Sequence, residues 1–175
     1  MQNADSKIVI LGTGGTLAGT AADPGDNVGY RAAQIGVAEL VARIPALADV
    51  ALQTEQVAQI DSKDMSFAIW RTLAARVAYH VDRSDVAGVV ITHGTDTLEE
   101  TAYLLQRLLS PDKPVVLTAA MRPASALFSD GPQNLLDAVR VAQHPGAQGV
   151  VVAQAGRIAA VSTTGLSGAS TRCSR

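Results

Sequence analysis

Residues 7–19 read Lys7-Ile8-Val9-Ile10-Leu11-Gly12-Thr13-Gly14-Gly15-Thr16-Leu17-Ala18-Gly19. A short run rich in β-branched residues that stops at a glycine loop predicts a strand buried on both faces, as in a parallel sheet. The glycines allow positive φ and close backbone approach, and Thr16 adds a hydroxyl to the loop. Working outward, Val86–Thr92 and Pro114–Ala119 share this character, and each runs into a loop bearing Gly or Pro. A weaker strand is expected over Ala51–Ile60 and a last one over Gly149–Ala153.

Between these runs the period changes from strand to helix. Gly36–Ile44 places Val37, Leu40, Val41 and Ile44 on one helical face and stops at Pro45. Asp64–Val81 repeats the stripe with Phe67, Trp70, Leu73, Ala74, Val77 and Val81, and Asp64 is its expected N-cap. Asp96–Leu109 carries Glu99 and Glu100 in its first turn, where the helix dipole favours anions, and Gly131–Ala142 makes a fourth helix. Strand alternating with helix predicts an α/β fold around a mostly parallel sheet.

The 175 residues suit one domain with one core. With 14 Lys+Arg against 16 Asp+Glu and no basic cluster, the chain lacks the charge to neutralise a row of phosphates, which argues against a nucleic-acid partner. Its longest apolar runs hold about six residues, against the ~20 of a membrane-spanning helix, so no membrane insertion is expected. Ile8–Leu11 is too short for the core of a secretory signal, which favours the cytoplasm. The lone Cys173 has no cysteine to pair with and no C-x-x-C motif.

In a parallel sheet ligands gather at the carboxyl ends of the strands, so the loops there carry the chemistry. The first is the Gly12–Gly19 loop; the second is His93-Gly94-Thr95-Asp96-Thr97, again a hydroxyl beside a glycine with a carboxylate next to it. Phosphate binding fits badly: Gly19 is followed by Thr20 and Ala21 without the P-loop lysine, and Leu17 stands where a dinucleotide fingerprint wants its third small residue. Two threonines over one cleft suit acyl transfer, with loop N–H groups as oxyanion donors. Asp96 reads equally as an ammonium ligand, the orienter of a base, or the N-cap of its helix. His80, His93 and His144 stand at no metal-ligand spacing and read as structural, so no metal is expected. Gly165-Leu166-Ser167-Gly168-Ala169 lacks the closing glycine of a nucleophile elbow.

Ile10–Gly19 resembles the first signature of the bacterial-type L-asparaginase family, and Val89-Val90-Ile91-Thr92-His93-Gly94-Thr95-Asp96-Thr97-Leu98-Glu99-Glu100-Thr101-Ala102-Tyr103 resembles the second. Ala119-Ala120-Met121-Arg122-Pro123 and Ser129-Asp130-Gly131-Pro132-Gln133-Asn134-Leu135 continue the likeness, which covers residues 7–155. The resemblance implies the family's three-layer, flavodoxin-like N-terminal domain. It also implies hydrolysis of L-asparagine, with L-glutamine as a second substrate, through an acyl-threonine intermediate, with no metal or organic cofactor. By residue, it implies Thr16 as nucleophile, Tyr30 on a mobile flap that contacts it, and Thr95 as the second catalytic threonine. Asp96 would bind the substrate ammonium and Ser62, in Asp61-Ser62-Lys63-Asp64-Met65, its carboxylate.

The family carries a second, smaller domain, shares its sites between neighbouring subunits of a homo-oligomer, and has a lysine that polarises the second threonine. Here that lysine's region reads Arg157-Ile158-Ala159-Ala160-Val161-Ser162-Thr163-Thr164-Gly165, and the last lysine is Lys113. The expectation is therefore a large domain over residues 1–161 and a divergent, poorly ordered tail over 162–175, the product of a shifted frame or truncated gene. Two other functions fit part of the pattern: an inactive domain that binds an amino acid through Asp96 and Ser62, and a flavodoxin-like nucleotide or flavin binder.

Overall fold

The computed structural model describes residues 6–23, 25, 29–162 and 165–167. They form a three-layer α/β domain around one seven-stranded sheet. The strands are β1 (Lys7–Gly14), β2 (Leu52–Ile60), β3 (Val86–Thr92), β4 (Val115–Thr118), β5 (Val150–Gln154), β6 (Arg157–Ser162) and β7 (Gly165–Ser167), and the helices are α1 (Val37–Ala42), α2 (Phe67–Asp82), α3 (Leu98–Leu109) and α4 (Gly131–Gln143). The sheet order is β2-β1-β3-β4-β5-β6-β7, parallel as far as β5 and antiparallel beyond it.

Both faces of the parallel strands are covered, as their unbroken apolar runs require. Val9, Leu11, Val89, Ile91, Val115, Leu117, Val150 and Val152 point to one face, where Leu73 and Val77 of α2 and Leu98, Ala102 and Leu105 of α3 pack on them. Ile8, Ile10, Val90, Val116 and Ala153 point to the other, against Val37 of α1 and Leu135, Ala138 and Val139 of α4. Register keeps these sets apart: Leu11 pairs with Ile91, Ile91 with Leu117 and Leu117 with Val152, one row across four strands.

The helix faces reveal a reversed crossover. Steps β1→β2 and β2→β3 run in opposite directions along the sheet and put α1 and α2 on opposite faces, so the two share one hand. The step β3→β4 keeps the direction and face of β2→β3. The step β4→β5 keeps the direction, yet α4 lies on the α1 face, so its hand is opposite to the other three. Three crossovers of one hand are the right-handed majority, which makes β4-α4-β5 left-handed.

Two expected helix starts need correction. The α2 N-cap is Ser66, whose Oγ accepts from the Ile69 N–H at 3.4 Å, while Asp64 closes a 3₁₀ turn over Ser62–Asp64. Helix α3 begins after Thr97, which leaves Asp96 outside the cap. The antiparallel β5-β6-β7 end is a further correction, because Gly165–Ser167 pairs with β6 where a poorly ordered tail was expected. Residues 163, 164 and 168–175 of that tail lie outside the described residues.

Candidate active site

The strand order reverses between β1 and β3, the place where open parallel sheets bind ligands. Their carboxyl ends are tied together by the buried Thr13 hydroxyl, which donates to the Thr92 carbonyl at 2.9 Å. Beyond that tie β1 bends through two left-handed glycines, Gly14 at φ 111° and Gly15 at φ 76°. A β-carbon on Gly15 would lie 2.5 Å from the Gly94 backbone, and one on Gly94 would strike Ser62 Oγ and Cβ. The loops after β1 and β3 therefore meet at backbone contact, with the Ser62 side chain of the loop after β2 against them, and only glycine fits at the meeting point. Thr16 and Thr95 each follow directly from the two touching glycines.

Thr16 is buried in a single 3₁₀ turn, Thr16–Ala18, and its Oγ1 lies 2.7 Å from the Tyr30 hydroxyl. Tyr30 is held there by its neighbour: Arg31 pairs with Thr20 through two backbone hydrogen bonds of 2.8 and 2.9 Å. Gly19 leaves room for the Tyr30 ring, which would come within 2.9 Å of a β-carbon there. The expected oxyanion donors are partly spent, since the N–H groups of Gly15, Ala18 and Gly19 donate to the carbonyls of Ile60, Gly15 and Thr16.

Across the glycine contact lies a second polar pair. Ser62 is buried, and its Oγ donates to Asp96 Oδ2 at 3.2 Å while accepting from the Asp96 N–H at 3.1 Å. The Thr97 hydroxyl donates to the Ser62 carbonyl at 2.9 Å, which completes the join between the two loops. Asp96 itself is exposed and Thr95 half-buried, so both open to solvent beside the buried Thr16 and Ser62. The structure thus gathers Thr16, Tyr30, Ser62, Thr95 and Asp96 at one end of the sheet. Among the described residues no group of three His, Cys, Asp or Glu is placed to hold a metal ion.

A model of the asparaginase N-terminal domain matches residues 7–171. The chain belongs to the asparaginase family. The match extends past Val161, where the strand and helix periods fade, to residue 171. The chain is 45% identical over 145 residues to a glutaminase-asparaginase of Pseudomonas fluorescens biotype A, covering 82% of this chain and 40% of that protein. It is 47% identical over 133 residues to L-asparaginase 2 of Escherichia coli K12, covering 75% and 37%. Its fold superposes with a TM-score of 0.85 on a probable cytoplasmic L-asparaginase from Campylobacter jejuni, at 44% identity over 89% of this chain and 48% of that one. The chain therefore spans about two fifths of the length of the curated relatives it matches.

Two residues that support these loops escaped sequence reasoning. Asn134 is 2% exposed and donates to the Ala119 carbonyl and to Asp130, which in turn accepts from the Met121 and Arg122 N–H groups. That network fixes residues 119–130, and the segment braces the Thr16 loop: the Ala124 N–H donates to the Gly19 carbonyl, and Ser125 Oγ accepts from the Ala21 N–H. The left-handed crossover is what lays this segment on the α1 side of Thr16. Thr101 is the second, a buried helix residue that looks like core packing; its hydroxyl touches both His93 and Trp70. No local pattern signals either one, because each acts on partners brought near by the fold.

Proposed function

We propose that this chain carries the reacting half of an asparaginase-type amidohydrolase site, with L-asparagine as substrate and L-glutamine as a second one. The observation that carries the reading is the 2.7 Å contact between the Thr16 and Tyr30 hydroxyls, facing Thr95, Asp96 and Ser62 across the Gly15–Gly94 contact. Thr16 Oγ1 adds to the side-chain amide carbonyl, ammonia leaves with the hydroxyl proton, and water then cleaves the ester to give the acid and restore the hydroxyl. Tyr30 orients Thr16 and covers the attack from water. Asp96 pairs with the substrate ammonium and Ser62 donates to its α-carboxylate, giving up the long 3.2 Å bond to Asp96 in exchange. The reading places the protein in the cytoplasm, the compartment in the name of the Campylobacter jejuni neighbour.

The test is ammonia release from L-asparagine and L-glutamine by the purified chain, beside Thr16→Ala and Tyr30→Phe. The expected result is release by wild type, loss of at least about 1000-fold in Thr16→Ala and about 100-fold in Tyr30→Phe, with melting temperatures unchanged within a few degrees. A folded wild-type chain that binds L-aspartate without releasing ammonia would instead favour the amino-acid-binding reading.

A further inference from the structure

Beneath the second loop a polar chain runs through the core from α2 to the point where the three loops meet. The Trp70 indole N–H donates to Thr101 Oγ1 at 2.8 Å; Thr101 Oγ1 lies 3.0 Å from His93 Nε2; His93 Nδ1 lies 2.7 Å from the Gly94 carbonyl. Thr101 and His93 are both fully buried. Each proton in this chain is fixed by elimination. A carbonyl only accepts, so His93 Nδ1 carries the hydrogen and donates to Gly94; in the neutral ring Nε2 is then an acceptor, and Thr101 spends its one hydrogen on Nε2 and accepts from Trp70. Burial pushes the His93 imidazole below its ordinary range, which keeps the ring in this neutral form.

Gly94 is the residue whose α-carbon abuts both Gly15 and Ser62. We propose that Trp70, Thr101 and His93 are positioning residues: the fixed imidazole anchors the Gly94 carbonyl and so sets where the Thr95 hydroxyl and Asp96 carboxylate stand relative to Thr16. The catalytic meaning rests on the amidohydrolase reading; the anchoring itself does not. None of the three touches the reacting atoms, and each works through the next. Trp70 is the only tryptophan in the chain, so its fluorescence reports the outer end of the relay.

The test compares Thr101→Val, which keeps the shape and removes the hydroxyl, with Thr101→Ser, which keeps the hydroxyl and removes the methyl. In wild type, ring ¹⁵N shifts of His93 should show the Nδ1–H tautomer at pH 7. Exchange of the Asp96 amide, measured against Val90 as an internal standard, should rise at least tenfold in Thr101→Val and stay within threefold in Thr101→Ser. If the role is packing alone the order reverses, with Thr101→Ser the more disturbed. An Nε2–H tautomer in wild type, or an Asp96 exchange rate in Thr101→Val within twofold of wild type, overturns the proposal. Should Thr101→Val fail to fold, Trp70→Phe removes the outer donor while leaving Thr101 and His93 in place; a threefold rise in Asp96 exchange is expected, and no change overturns the relay. Where wild type releases ammonia, kcat/KM for L-asparagine in Thr101→Val should fall about tenfold. A wild type that releases none sinks the amidohydrolase reading, while the tautomer and exchange still decide the relay.

Discussion

Gly15 and Gly156 both have a positive φ and differ in what a β-carbon would meet. Gly15 has φ 76° with ψ −174°, a conformation essentially confined to glycine, and Gly156 has φ 70°, where a β-carbon is strained by about 1–2 kcal/mol. Their surroundings differ: a β-carbon on Gly15 would lie 2.5 Å from the Gly94 backbone, whereas nothing lies within 4 Å of one on Gly156. Gly156→Ala should cost only the conformational strain, about 1 kcal/mol, and leave the site alone. Gly15→Ala should cost about 2–4 kcal/mol in urea unfolding, because neither backbone can retreat without moving Thr16 or Thr95. Equal losses in the two variants would show that the close approach of Gly15 to Gly94 carries no weight.

At the scale of elements, the β5-β6 hairpin shows how a turn can hide from sequence. Two-residue hairpin turns favour Asn-Gly or Asp-Gly, but here the turn is Ala155-Gly156, with Ala155 at φ 52°. Asn134 of α4 holds it there, its Oδ1 accepting from the Ala155 N–H at 3.0 Å. Ala155→Gly should therefore stabilise the protein by about 0.5–1 kcal/mol, read as a rise in melting temperature. Asn134→Leu should destabilise it by about 2–4 kcal/mol, since the Ala119 carbonyl and Ala155 N–H both lose their partner. A loss below about 1 kcal/mol in Asn134→Leu would mean that water replaces the side chain. The parallel strands, by contrast, were legible, because burial on both faces leaves an unbroken apolar run in each. The helix starts at Ser66 and Thr97 were not, since Asp64 and Asp96 are equally good capping residues and only the path of the preceding loop excludes them.

For the molecule as a whole, acid acts in two pH ranges. Arg83 and Lys7 beside Asp85 hold its carboxyl down to about 2, and the Arg76 guanidinium lowers Glu55 as well. A lowered carboxylate contributes stability that is present above about pH 4, its ordinary range, and lost as the pH falls towards 2. His93 has a lowered value for a different reason, burial, and in the unfolded chain it takes up a proton near its ordinary pH of about 6.5. Stability should thus begin to fall below about pH 6.5 and fall again below about pH 4. Urea midpoints measured from pH 8 to pH 3 should show both steps. Asp85→Asn should flatten the lower one, which salt should also weaken because the Lys7–Asp85–Arg83 group is solvent-accessible. A profile flat between pH 7 and 5 would contradict a buried neutral His93.

What the sequence determined by itself was everything set by local pattern: the parallel strands, the four helices, and the two glycine-threonine loops, whereas Ser62 and Tyr30 were singled out only by the likeness to a known family. Those signals are local because burial on both faces, helical periodicity and glycine conformation are each written in consecutive residues. Only the tertiary structure decided the hand of β4-α4-β5, the antiparallel end of the sheet, and the bracing of Thr16 by residues 119–130. It alone joined Trp70, Thr101 and His93 into one chain of hydrogen bonds. These depend on which face a helix lands on and which distant partners satisfy a buried polar group, and no stretch of neighbouring residues carries that information.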